Sequence, residues 1–154
     1  MKFFLLSICL LATTFSFSQD SFTSRDAKQV VDVFFEGFHK GDTILMKSVM
    51  TNDMMMQTVY ANEDGENKLN TDAMDGFIKA IGNRPANQKW DERLLGYQVD
   101  IYGNLAHVWT PYEFWFNDAF LHCGANSFTM AKFDDGRKII HLIDSSRKSS
   151  CKKE

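Results

Sequence analysis

The stretch from Leu105 to Ser146 constrains the fold of this chain more than any other segment. It contains two long strands rich in apolar and aromatic residues, a tight turn at Asp135-Gly136 and a final strand. A sheet this apolar cannot face water on both sides, so it must cover a core, a cavity or a partner. The stretch therefore indicates the fold, but it contains no recognisable catalytic set.

The N-terminus is typical of a signal peptide. A lone Lys2 precedes an apolar stretch, and Ser16-Phe17-Ser18 is a small-x-small end. The segment is too short to span a membrane. We expect cleavage before Gln19 and a secreted or periplasmic product with no membrane contact. The predicted organisation is a signal peptide at 1–18, one domain at 19–146 and a tail at 147–154.

Charge excludes one class of partner. The formal net charge of the 154-residue chain is −3, and its one short basic run, Lys152-Lys153, lies in the tail. This distribution argues against nucleic-acid binding. The spacing of His, Cys and acidic residues does not resemble a zinc site, and we predict neither a metal nor a cofactor.

Two cysteines, Cys123 and Cys151, remain after the expected cleavage. An even number in an exported chain favours a disulfide. The predicted hairpin places Cys123 opposite about Lys148, and the tail can return Cys151 to it. In the alternative, Cys123 would be a nucleophile, but no activating base is expected on its face.

Helical spacing and capping residues predict an α+β domain, with three helices on one face of a curved antiparallel sheet. Thr23-Ser24-Arg25-Asp26 resembles a capping box for the first helix, Asp42 caps the second, and Thr71-Asp72 caps the third. The predicted helices are 25–40, 43–50 and 73–81; the strands are 54–61, a short return strand, 89–102, 105–116, 121–133 and 137–145.

Three turns set the expected register: Gly103-Asn104, an Asn117–Phe120 loop that pairs Phe116 with Leu121, and Asp135-Gly136. Alternation then gives an inner face of small residues and an outer face of large apolar residues, His and acids. The outer face suits a homodimer. Pro111 could add a bulge that exchanges the faces of Tyr112 and Glu113. The predicted ligand pocket comprises Phe34, Phe38, Tyr97, Thr110, Tyr112, Phe114, Ser127, Thr129 and Asp144.

Three segments, VVDVFFEGFHKGDTILMKSVMTND, NLAHVW and FDDGRKIIHLIDSSR, resemble the NTF2-like (SnoaL-like) superfamily of cone-shaped α+β domains. HCGANSF, the final strand and the last cysteine are similar to an exported bacterial branch described as lumazine-binding or NTF2-like. One departure is Arg137, where that branch commonly has Trp. The resemblance implies the fold over almost all of the mature chain. It implies little about function, because the superfamily includes isomerases, dehydratases, cyclases, binding modules and assembly domains.

The resemblance also permits a test for ketosteroid isomerase chemistry. The three catalytic positions of that relative fall on Phe34, Thr58 and Thr129. Phe cannot donate a hydrogen bond, and Thr cannot act as a base near neutral pH. Steroid-type isomerisation is therefore not expected.

The remaining catalytic candidates are Asp144, His141 and Glu113. Asp144 is predicted to face inward near Ser127, either as a carboxylate satisfied by hydrogen bonds or as a pocket acid that recognises a ligand. A one-residue slip in register would bring His141, Glu113 and Asn126 into the cavity. His39 at a helix end, and His107 opposite Asp100, have structural interpretations.

The sequence favours binding over catalysis. Our leading hypothesis is an exported homodimer, formed through the outer sheet face, that binds a small, largely apolar molecule. The rival is a dehydratase-like lyase or isomerase that uses Asp144, or His141 with Glu113. A third class is a dimerisation module without a ligand. The position of these side chains relative to one pocket discriminates between the hypotheses.

Overall fold

The computed structural model describes residues 21–148 and residue 151. The predicted signal peptide and its cleavage site before Gln19 lie outside the described residues. The elements are α1 (Ser24–Lys40), α2 (Thr43–Ser48), β1 (Met50–Ala61), β2 (Asn67–Asp72), α3 (Met74–Gly82), β3 (Trp90–Leu94), β4 (Gln98–Tyr102), β5 (Leu105–Phe116), β6 (Ala119–Phe133) and β7 (Gly136–Arg147).

The caps of the first two helices confirm the sequence prediction. The Thr23 hydroxyl accepts the amide of Asp26 at 3.2 Å, and the Asp26 carboxylate accepts the amide of Thr23 at 2.8 Å. Gly41 ends α1 with a left-handed φ of 71°, and Asp42 accepts two amides at the start of α2. The predicted cap of α3 is wrong. Thr71 and Asp72 belong to β2, and Ala73 begins α3 without a side-chain cap.

The sheet is mixed and curved around α1. Its strand order is β2-β1-β7-β6-β5-β3, and β4 also pairs with β5. β1 runs parallel to β7, while the other pairs are antiparallel. Phe34 and Phe35 of α1 pack edge-on against Phe128 of β6, with ring centroids 5.8 and 6.1 Å apart. This aromatic contact joins the helical layer to the centre of the sheet.

The predicted strand 89–102 is divided into β3 and β4. β3 pairs with the C-terminal half of β5 and β4 with its N-terminal half. Three residues, Leu95–Tyr97, lie between the paired residues Leu94 and Gln98. The facing segment of β5 has only two, Thr110 and Pro111. This extra residue is a bulge opposite a proline, which has no N–H to continue the ladder. Because the bulge lies between β3 and β4 and not in β5, Tyr112 and Glu113 keep their predicted faces.

The predicted register of β6 is wrong by one residue. The turn is Asn117-Asp118, with φ of 49° and 64°, and it pairs Phe116 with Ala119. Leu121 then has no partner on β5, so His122 lies opposite Phe114. This bulge turns the even-numbered residues of β6 inward and the odd-numbered residues outward. Asn126, Phe128 and Met130 are buried in the interior, where Ser127, Thr129 and Ala131 were expected.

The last hairpin also differs from the prediction. Its turn is Asp134-Asp135, because Phe133 pairs with Gly136. Ile140 is a second unpaired residue, since Ile139 lies opposite Met130 and His141 opposite Thr129. Leu142 and Asp144 therefore face inward, as expected. The Gly103-Asn104 turn, which pairs Tyr102 with Leu105, confirms the prediction.

Cys123 and Cys151 form the expected disulfide, with Cα atoms 5.7 Å apart and 28 residues of sequence separation. Cys123 lies opposite Arg147 rather than Lys148. The bridge holds Cys151 against β6, and a loop of this length contributes about 3 kcal/mol to stability. Within residues 21–148 and residue 151, no helix is both long and apolar enough to cross a membrane.

Candidate functional site

A cavity of about 290 Å³ lies between α1 and the inner face of the sheet. Aromatic and aliphatic side chains form most of its wall, and polar side chains gather from the strands. The apolar wall consists of Phe34, Phe35, Phe38, Met56, Phe77, Phe114 and Leu142. The polar groups are Thr58, Asp72, Glu92, Tyr112, His122, Asn126 and Asp144.

Asp144 is held between two strands. The hydroxyl of Thr58, directly opposite on β1, donates to its Oδ1 at 2.6 Å, and the Tyr112 hydroxyl donates to its Oδ2 at 3.2 Å. Burial raises the pKa of Asp144, and the nearby Asp72 adds to the rise; the two hydrogen bonds and His122 partly offset it. Asp144 is thus an oriented carboxyl group at the cavity wall.

Tyr112 reaches Asp144 because Gly124 lies beneath it. A Cβ atom at position 124 would lie 2.6 Å from the Tyr112 hydroxyl and 2.4 Å from the carbonyl oxygen of Ser145. Neither approach is possible for a side chain, so the packing requires glycine here. Burial, with Glu92 and Asp144 nearby, raises the pKa of Tyr112, so its hydroxyl remains a donor.

Glu92 is the principal group that the sequence prediction missed. The bulge at Leu95–Tyr97 turns it inward, and Asn126 Nδ2 donates to its Oε1 at 2.6 Å. Burial raises the pKa of Glu92 to about 8; the Asn126 hydrogen bond opposes the rise and the charge of Asp144 adds to it. An isolated Gly96 within a strand pattern was the available sign of a bulge.

His39 positions the backbone of Glu92. Its Nε2 lies 3.0 Å from both the amide nitrogen and the carbonyl oxygen of Glu92, so it accepts from the first in one tautomer or donates to the second in the other. Burial lowers the pKa of His39, whereas Asp91 and the hydrogen bond to the Glu92 backbone oppose the shift. His39 thus makes a structural contact, but its lowered pKa does not fit a cation that stabilises the end of α1.

His122 lies inside the cavity rather than on the predicted outer face. Its ring stacks on Phe114 with centroids 5.0 Å apart and meets the edge of Tyr112 at 5.8 Å. Burial lowers the pKa of His122, against the opposing effect of Asp144. The imidazole therefore favours its neutral form in the cavity.

The structure divides the predicted pocket residues. Five of them line the cavity: Phe34, Phe38, Tyr112, Phe114 and Asp144. Tyr97 instead donates its hydroxyl to Asp32, and the fully buried Thr110 donates to the carbonyl of Pro111 at 3.3 Å. Ser127 and Thr129 lie on the outer face because of the Leu121 bulge, and Ser127 Oγ is 2.9 Å from His107 Nε2.

The alternative pair His141 and Glu113 does not converge. His141 Nε2 lies 3.1 Å from Gln57 Oε1, and Glu113 Oε2 accepts the indole N–H of Trp115 at 3.2 Å. Their partners on β6 are Thr129 and Cys123, six positions apart along the strand. Both side chains face outward, so they do not share a site with Asp144.

The three positions compared with ketosteroid isomerase are separated as well. Phe34 and Thr58 line the cavity, whereas Thr129 lies outside it. Thr58 instead acts as a donor to Asp144. Among residues 21–148 and 151, no group of three or more His, Cys, Asp or Glu residues is arranged to hold a metal ion.

No protein-family model matches the sequence, and no curated protein matches it. Solved structures do match. An NTF2-like protein from Cytophaga hutchinsonii aligns with a TM-score of 0.63 at 14% identity, covering 82% of this chain and 100% of that one. A CaMKII hub from S. rosetta aligns with a TM-score of 0.61 at 16% identity, covering 80% and 95%.

A third match is a proposed dehydratase of the NTF2-like family from Streptomyces avermitilis. It aligns with a TM-score of 0.57 at 12% identity, covering 80% of this chain and 94% of that one. These matches confirm the cone-shaped α+β fold that the sequence resemblance implied. At such low identity they establish the fold alone.

The partly buried Glu92 predicts a distinctive dependence of stability on pH. Its pKa is about 8 in the folded protein against a reference of 4.5, so the folded state retains a proton that the unfolded state loses between those values. The free energy of unfolding attributable to Glu92 therefore falls as pH rises through this window, by on the order of 5 kcal/mol.

Urea unfolding of the wild type and Glu92→Gln at several pH values between 5 and 8 measures this difference. His39 and His122 act with the opposite sign near their own pKa values, but both proteins contain them, so their effects cancel. Glu36→Gln on the exposed face of α1 is the control and should follow the wild type. Parallel curves for wild type and Glu92→Gln would show that Glu92 is ionised in the folded state.

Proposed function

We propose that the domain binds a small, uncharged and largely apolar molecule in the inner cavity, with a polar group of the ligand at Asp144. The observation that carries the proposal is the composition of the cavity wall. Phenylalanines of α1, α3 and β5 supply its apolar part, and strands from across the sheet direct polar groups into it. Binding sites for small molecules combine these two features.

Size and charge narrow the class of ligand. A volume of about 290 Å³ is at the lower end of the ~300–1,000 Å³ found for ligand cavities. Asp72 and Asp144 line the cavity, and no Lys or Arg is among the described residues that do so. An anion would be repelled and would find no counter-charge, whereas a neutral molecule that donates a hydrogen bond suits Asp144.

Binding of α-methylbenzyl alcohol tests this proposal. Its phenyl ring matches the phenylalanine wall, and its hydroxyl can donate to Asp144. We expect binding by isothermal titration calorimetry, about tenfold weakening in Asp144→Asn, and no weakening in Asp53→Asn, the same change at an exposed site. Equal binding by Asp144→Asn, or comparable binding of benzoate, would contradict the proposed polar contact.

A lyase or isomerase is the second candidate function. It is favoured by the oriented carboxyl of Asp144, whose raised pKa makes it a stronger base, in the same cavity as Tyr112 and His122. Asp144 would remove a proton from carbon next to a carbonyl, and the electron pair would move to the carbonyl oxygen. Return of the proton from Asp144 to another carbon would complete an isomerisation. In a dehydration the electron pair would return to form a carbon–carbon double bond, and the β-hydroxyl would take the proton from Asp144 and leave as water.

Acetophenone in deuterium oxide distinguishes this activity from binding alone. A catalytic Asp144 would exchange the methyl protons for deuterium, which proton NMR follows as loss of the methyl signal, and Asp144→Asn would abolish the exchange. Binding without exchange above the rate in buffer would leave the cavity as a binding site.

We also propose that the protein is exported after loss of residues 1–18. The Cys123–Cys151 disulfide supports this, since such bonds persist in oxidising compartments. The intact mass of the exported protein should equal that of the chain from Gln19 less two hydrogens, and should gain them after reduction. A retained leader, or two free thiols before reduction, would refute this proposal.

The outer sheet face supports a proposed homodimer. Trp109, Leu105 and Met55 are 39%, 48% and 50% exposed there, beside half-buried His141 and Ile143. Such a broad, partly apolar surface suits contact with a second copy. Sedimentation velocity should show a dimer for the wild type and for Ile44→Glu, a substitution at an exposed position of α2, but a monomer for Trp109→Glu. A wild-type monomer would refute the proposed interface.

A further inference from the structure

Glu92 and Asp144 are two carboxyl groups in one cavity, but they make different hydrogen bonds. Asp144 uses both oxygens to accept from Thr58 and Tyr112. Glu92 uses Oε1 to accept from Asn126 at 2.6 Å, and His39 holds its backbone. The second oxygen of Glu92 therefore remains for a contact within the cavity.

Asn126 lies next to both carboxyl groups. It lies directly opposite Asp144 in the β6–β7 ladder, and its amide donates to Glu92. Directly opposed residues have Cβ atoms about 4.5–5.5 Å apart. The carboxyl groups thus flank one asparagine, close enough for a single small ligand to reach both.

The groups that surround Glu92 determine which of its forms is favoured. Among the described residues that face it there is no Lys or Arg, and burial lowers the pKa of both histidines, which favours their neutral forms. Its neighbours on β3, Asp91 and Arg93, pair with each other at 2.9 Å. The titratable groups facing Glu92 are His39 of α1, Asp72 of β2, Tyr112 of β5, His122 of β6 and Asp144 of β7.

Burial and the charge of Asp144 both favour the protonated form of Glu92, whose pKa is about 8. A protonated carboxyl has an O–H to donate, whereas the ionised carboxyl of Asp144 only accepts. Near neutral pH the cavity therefore presents one donor and one acceptor beside its aromatic wall.

We propose that Glu92 is a specificity-determining residue that donates a hydrogen bond to a carbonyl oxygen of the ligand, while Asp144 accepts one from a ligand hydroxyl. The class of ligand is then a small neutral aromatic hydroxycarbonyl compound. This inference rests on the proposed binding function and identifies the chemistry of the same cavity.

Four probes of similar size isolate each contact. They are α-hydroxyacetophenone, acetophenone without the hydroxyl, α-methylbenzyl alcohol without the carbonyl, and ethylbenzene with neither. We expect α-hydroxyacetophenone to bind most tightly by calorimetry at pH 6.5. Glu92→Met should weaken acetophenone about tenfold and leave ethylbenzene unchanged, and Glu92→Gln, which retains a donor, should restore acetophenone binding.

Changing the pH adds a readout that a merely structural role would not produce. Wild-type affinity for acetophenone should fall as pH rises through about 8, because Glu92 loses its donor proton there. Glu92→Gln should bind equally on both sides of this pH. The ¹³C NMR signal of the Glu92 carboxyl, assigned by its absence from Glu92→Gln, should titrate in the same range.

The outcomes separate the two proposals. If ethylbenzene binds but acetophenone binds no better, and Glu92→Met affects both alike, the role of Glu92 is refuted while the binding cavity stands. A carboxyl signal that titrates near 4.5 also refutes that role, whether or not Glu92→Met folds. If none of the four probes binds, the proposed binding function fails, and the role of Glu92 falls with it.

Discussion

The unpaired residue Leu121 is the constraint on which the polar cluster of the cavity depends. The Asn117-Asp118 turn alone would direct the odd-numbered residues of β6 inward. The unpaired residue shifts the pairing by one position, so the even-numbered residues face inward instead. Asn126 and His122 then face the cavity, and Ser127 and Thr129 face away from it. Gly124 turns inward as well, which creates the space in which Tyr112 reaches Asp144. One irregular position thus brings Asn126, His122 and Gly124 to the inner face, where they give the site its chemistry.

Burying two carboxyl groups in a small cavity is unfavourable, and the fold offsets the cost differently for each. Asp144 receives two hydroxyl hydrogen bonds, which support its charged form. Glu92 receives one amide hydrogen bond and lies near another acid, so its protonated form is favoured. The disulfide and the packing of α1 on Phe128 supply stability that an unfavourable polar cluster requires. Such a departure from an apolar core is expected at functional sites rather than elsewhere.

The elements that depend on local chemistry were predictable from the sequence. The caps at Thr23 and Asp42 and the turn at Gly103-Asn104 follow from side-chain and backbone preferences within a few residues. The bulges at Leu95–Tyr97, Leu121 and Ile140 depend on cross-strand pairing, which the local pattern does not specify. Glu92 and His122 were missed for that reason. The prediction that Asp144 faces inward was correct because the pairing shifts by one residue at Leu121 and again at Ile140. The two shifts cancel, so the end of β7 keeps its predicted face.

A second groove lies on the outer face, where Trp109, Glu113 and Cys151 line it. We propose that a small neutral ligand binds in the inner cavity rather than in this outer groove. A crystal structure with para-bromoacetophenone, using anomalous scattering from bromine, tests this directly. We expect one strong bromine peak among Phe34, Phe38 and Phe77, with the carbonyl oxygen within hydrogen-bonding distance of Glu92. A bromine peak in the outer groove alone, with the inner cavity filled by side chains, would contradict it.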